Sequence, residues 1–94
     1  MRKNTVDSND VGTENDSFTV EGYVSFLVIP HNVNNIFVTV IGDRSAIHDA
    51  NLYYNLTESL GEQLLTVLEL AVIYKKKVRV FGEDNAIKSV AIYK

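Results

Sequence analysis

Asp43, Ser45 and His48 place the acid, hydroxyl and imidazole of a hydrolase triad within six residues. A serine becomes a nucleophile when a strained turn presents it to a base within hydrogen-bond reach, and nothing around Ser45 supplies that glycine-flanked elbow. His31 and His48 are the two imidazoles of a chain without cysteine, and spacing brings neither the three or four donors that a metal ion requires. Phosphate-cradling glycine loops, dinucleotide fingerprints and paired-carboxylate signatures do not occur. The chain therefore reads as a protein that works by binding, with no catalytic residues, no metal and no cofactor.

Binding chemistry is better represented. Tyr23, Ser25, Thr39, Tyr54 and Asn55 combine aromatic rings with hydroxyl and amide groups. This is the set that recognises a glycan, because apolar sugar faces stack on rings while sugar hydroxyls pair with polar groups. On a sheet the same residues also serve as ordinary outward polar alternation. Lys75, Lys76, Lys77 and Arg79 form the one basic cluster. It could meet phosphate, or it could answer the negative end of a helix macrodipole. Single-strand nucleic-acid binding also needs stacking platforms, for which Phe37, Tyr53 and Tyr54 are available. If Tyr53 and Tyr54 lie on a strand, their rings point to opposite faces.

These residues must be carried by a single small domain, since 94 residues leave room for one core. The hydrophobic share of 46% and charged share of 22% are those of a globular domain. The formal charge of −3 opposes a dedicated nucleic-acid binder, whose phosphate contacts call for a basic surplus. Residues 1–16 hold Met1, Val6 and Val11 as their apolar residues among Asn, Asp, Thr and Ser. Such a segment buries too little to offset its ordering entropy and reads as a disordered polar arm, with the folded domain at 17–94. Arg2 and Lys3 are not followed by an apolar stretch of the kind that makes a signal peptide, and no run is long enough to span a membrane.

Period-two alternation from Phe18 to Val28 predicts a long strand with Phe18, Val20, Val24, Phe26 and Val28 on the core side. Gly22 marks a bulge or bend within it. Further strands are expected at 36–41, 50–56, 78–81 and 87–93, the last two joined by a turn at Gly82–Asn85. The one helix starts at Ser59, where Ser59 and Glu62 have capping-box spacing, and Lys75–Lys77 close it. Leu64, Leu65, Leu68, Ala71 and Val72 form its core stripe.

The fold class is thus mainly β with one helix. The order β-β-β-α-β-β is that of the OB-fold, a five-stranded Greek-key barrel. The runs GYVSFLVIPHNVNNIFVTVIG, LYYNL and GEQLLTVLELAVIYKKKVRVFGEDNAIKSVAIYK resemble the small bacterial OB-fold proteins similar to the B subunit of subtilase cytotoxin, over about residues 17 to 94. The resemblance implies a secreted or periplasmic protein that assembles as a ring of five, binds a glycan or cell-surface receptor and accompanies a toxin A subunit. Family members usually carry paired cysteines, which this chain does not have.

Two features point independently to a homo-oligomer. Leu70, Ile73 and Tyr74 lie on the helix flank away from Leu68, beside Gln63 and Thr66, and need either a loop of the chain or a neighbouring copy to cover them. Charge is also lopsided: residues 17–74 contain one Arg against six carboxylates, whereas residues 75–94 contain six basic and two acidic residues. Complementary charge on two different surfaces favours head-to-tail ring closure.

Overall fold

The computed structural model describes residues 16–94. The expected arm therefore lies, apart from Asp16, outside the described residues. Strands β1 (Ser17–Val28), β2 (Phe37–Ile41) and β3 (Ala46–Leu52) precede helix α1 (Ser59–Tyr74), and β4 (Val78–Glu83) and β5 (Ala86–Ile92) follow it. The structure is mainly β, with 47% of the described residues in strands. Its five strands form a sheet that closes on itself in the order β1-β2-β3-β5-β4. Closure comes from the short parallel pair Asn51↔Ala86 and Leu52↔Ile87 between β3 and β5, a pairing that needs the intervening helix as its crossover.

β1 serves both halves of the sheet. Ser17 to Gly22 pair with β4, and Tyr23 to Val28 pair with β2. The change of partner falls at Gly22, where a Cβ would sit 2.1 Å from the Ile41 carbonyl oxygen, so two backbones meet there as only glycine permits. The bulge itself lies further on, between Val24 and Phe26. It adds one residue and inverts the alternation. Leu27 consequently packs against the core while Phe26 is exposed, which corrects the inward placement expected for Phe26.

β3 begins four residues earlier than predicted, because the β2–β3 connection is a tight turn in which the Gly42 amide donates to the Ser45 carbonyl at 2.9 Å. Polar residues disguise this strand in the sequence: Arg44 and Ser45 lie in the turn before it and His48 and Asp49 are exposed on it, while Ile47, Ala50 and Leu52 are buried. The strand also bulges, spending three steps from Ile47 to Ala50 against two on β2, with Asp49 in the left-handed region at φ 51°. Tyr53 to Leu56, predicted as strand, form a bend leading to the helix. Asn35 pins that exit: its Oδ1 accepts from the Leu52 amide at 2.8 Å and its Nδ2 donates to the Leu52 carbonyl at 2.9 Å.

The predicted capping box does not form. Glu58 takes the N-cap position, and its Oε1 accepts from the Asn55 amide at 2.7 Å. Lys75, in the left-handed region, ends the helix at Tyr74, and the Lys76 amide donates back to the Ala71 carbonyl at 3.0 Å. Gly61, Leu68 and Ala71 are buried, and Leu64 and Leu65 pack partly against the same core of Val20, Val38, Val40, Val80 and Ile87. Val72, expected in this stripe, is exposed. One helix resting on the sheet buries a narrow arc, and Val72 lies about 100° round from Ala71.

Candidate functional site

Two glycines bring the candidate site together. Besides the approach at Gly22, a Cβ on Gly42 would sit 1.9 Å from the Glu21 carbonyl oxygen. The bend of β1 and the β2–β3 turn are therefore in direct backbone contact. On the other side of β1, Glu21 is paired with Arg79 of β4. The result is a depression of about 710 Å³, walled by Glu21 and Tyr23 of β1, Asp43 and Arg44 of the turn, and Lys77 and Arg79 around the start of β4.

A second depression of about 430 Å³ shares Glu21, Tyr23 and Lys77 with the first, and extends it past Tyr74, Lys75 and Lys76 to Tyr93 and Lys94. The chain end is tied down there: the Tyr93 amide donates to the Lys77 carbonyl at 2.9 Å, and the Tyr93 hydroxyl donates to Glu21 Oε2. Together the two depressions form a continuous trough with Tyr23, 51% exposed, at the seam.

The trough can offer three things to a ligand. Tyr23 presents an open ring for stacking, Glu21 and Asp43 present acceptors, and a row of ammonium and guanidinium groups presents donors. Six of the seven Lys and Arg side chains among the described residues line it, against two carboxylates. Lys88 is the seventh, and seven carboxylates lie elsewhere on the described surface. An acidic protein thus carries one basic face.

Of the expected ligand-binding residues, Tyr23 belongs to this trough and Ser25 sits exposed at the β1 bulge. Thr39, between the core residues Val38 and Val40, lies on the outer face as expected but is covered there: it is buried, and its Oγ1 accepts from the amide of Asp49 at 3.0 Å, satisfying the bulged residue of β3. Tyr54 and Asn55 lie before the opposite end of α1, whose sixteen residues place roughly 24 Å between its ends. The set therefore does not converge on one site.

Tyr53 and Tyr54 are also not on opposite faces of a strand. In the bend beyond Leu52 their rings meet edge to face at 5.1 Å. Lys88 Nζ lies 4.7 Å from the Tyr53 ring centroid and 3.0 Å from Glu83 Oε1. The hydrogen bond to Glu83 holds the Lys88 ammonium above its ordinary pKa, against an opposing desolvation.

Asp43 and Ser45 occupy the β2–β3 turn and His48 lies on β3, and no hydrogen bond joins the three among the described residues. His31 is in the turn after β1, on a different element from His48. On the helix, Gln63, Thr66, Leu70, Ile73 and Tyr74 are all exposed, Ile73 to 67% and Tyr74 to 65%. Among the described residues, no helix is long and apolar enough to cross a membrane.

Glu21, Arg44, Tyr93 and Lys94 are members of the trough that sequence reasoning missed. Outward alternation on β1 was the available signal for Glu21, whereas the other three arrive through sheet closure. Comparison with protein-family models, curated proteins and solved structures finds no match.

Proposed function

We propose that the chain is a non-enzymatic binding protein on an OB-fold, similar in design to ring-forming toxin B subunits, and that it recognises a glycan, as on a cell-surface receptor, through the trough around Tyr23. The fold reading draws on the strand order β1-β2-β3-β5-β4 and on a helix placed between the third and fourth strands, as the five-stranded Greek-key barrel requires. The functional reading is carried by one observation: an exposed tyrosine ring shares a single depression with carboxylate acceptors and cationic donors. That combination matches a sugar's apolar face and its hydroxyls.

A glycan array followed by calorimetry tests this reading. Tyr23→Ala is expected to weaken binding about tenfold, of the order of the loss of one stacked ring. Tyr54→Ala, at the far end of the helix, is expected to leave binding unchanged. Loss of binding in Tyr54→Ala alone would move the site to that end and reject the Tyr23 trough.

Assembly into a ring, five-membered by resemblance and able to carry a toxin A subunit, forms part of the same reading. It is supported by the exposed helix flank of Leu70, Ile73 and Tyr74, a surface that a heterologous contact would cover. Single-strand nucleic-acid binding draws less support. Its stacking candidates Phe37, Tyr53 and Tyr54 stand apart from the basic trough, and the cation beside Tyr53 is engaged by Glu83.

A further inference from the structure

We infer that the trough takes a linear polyanionic glycan, one bearing sulfate or several other negative groups along its length; this rests on the glycan reading above and narrows its ligand class. The first ground is the concentration of charge. Six of seven described cationic side chains line one trough, while the remaining described surface holds Lys88 and seven carboxylates. A polyanion is repelled by most of the molecule and attracted to this face, so the field selects the docking surface before contact is made.

The second ground is the spread of those cations. Arg44, Lys77 and Arg79 line the first depression, and Lys75, Lys76 and Lys94 line the second, with Lys77 common to both. One acidic group would engage one of these sets. A chain with repeated charges engages both, and its sugar rings cross Tyr23 at the seam.

The third ground separates a glycan from a nucleic acid. Glu21 and Asp43 stand among the cations; they accept hydrogen bonds from the hydroxyls of a sugar chain, whereas a phosphodiester backbone offers them no donor.

The test is calorimetric titration of the full chain with three probes: a heparin-type sulfated hexasaccharide, its desulfated N-acetylated counterpart, and a single-stranded DNA oligonucleotide of equal formal charge. The sulfated sugar is expected to bind about tenfold or more tighter than the desulfated one, with an affinity that falls steeply as salt is raised. Lys77→Ser with Arg79→Ser should lower that affinity about tenfold and reduce the salt slope by about two, one per lost contact. Lys88→Ser, outside the trough, should change neither. Thermal melts of each variant separate lost binding from lost folding, and Lys75→Ser with Lys76→Ser repeats the measurement at exposed positions beyond the helix end.

Equal binding of both sugars would overturn the polyanion inference and leave the glycan reading standing. Binding of neither sugar would overturn both. Tighter binding of the oligonucleotide, or an undiminished salt slope in both double variants, would likewise overturn the inference.

Discussion

At the residue scale, side-chain chemistry serves the backbone at a position where the sequence suggested a ligand. Thr39 is the clearest instance, since its hydroxyl accepts the one amide that the β3 bulge removes from the ladder. Thr39→Val should destabilise the protein by about 1–3 kcal/mol, because the Asp49 amide loses its partner in a partly buried place. Thr39→Ser keeps the acceptor and should cost less, near the ~0.8 kcal/mol of one buried methyl. Urea unfolding checks the order, and glycan affinity should be the same in both variants.

Lys88 offers a second test at this scale. Its ammonium is held above the ordinary lysine pKa mainly by the hydrogen bond to Glu83. A raised folded-state pKa means that the contribution of this pair is fully present below the unfolded pKa and is lost as pH rises through the folded one. The loss should therefore appear only in alkaline solution. Side-chain NMR titration should find Lys88 releasing its proton later than an ordinary lysine, and Glu83→Gln should bring it back.

At the element scale, α1 presents one buried flank and one exposed flank. Leu68 is fully buried in the shared core, and Leu68→Ala should cost about 2–5 kcal/mol by urea unfolding. Ile73 has no such contacts to lose, and Ile73→Asp should change monomer stability by no more than about 0.5 kcal/mol. In sedimentation velocity, however, it should convert an assembled species to monomer if the outer flank is a subunit contact. An unchanged sedimentation coefficient in Ile73→Asp would remove that flank from the interface.

This helix was legible from its 3.6-residue spacing, yet its start was not. Glu58 takes the N-cap position and its side chain turns back to the Asn55 amide, and the reciprocal contacts expected of Ser59 and Glu62 do not form. β3 was misplaced for a related reason: a bulged strand that carries His48 and Asp49 side by side between Ile47 and Ala50 has lost the period that identifies strands.

At the scale of the whole molecule, the charge asymmetry seen along the chain becomes a spatial one. Arg44, the lone cation of the first 58 residues of the domain, joins the C-terminal cluster because the β2–β3 turn folds against β1. Ionic strength should therefore act on one of the two proposed activities and spare the other. Binding of a charged glycan should collapse between about 50 and 200 mM salt. Assembly through Leu70, Ile73 and Tyr74 should persist, since apolar burial is not screened. Parallel calorimetry and sedimentation across that range would show the divergence, and assembly that dissolved together with binding would place the charged trough itself in the interface.

The sequence alone determined the number and order of the strands and the one amphipathic helix, because each of these is written in local periodicity. It also indicated that β1 bends at Gly22. Tertiary structure decided the rest. Closure of the sheet pairs Glu21 with Arg79 and Tyr23 with Ile41, which builds a trough from residues up to 73 positions apart, as Glu21 and Lys94 are. One bulged residue in β1 and another in β3 reverse which side chains face out. Long-range pairing and register leave no mark in local composition, and they are what placed Tyr23 among the cations and covered Thr39.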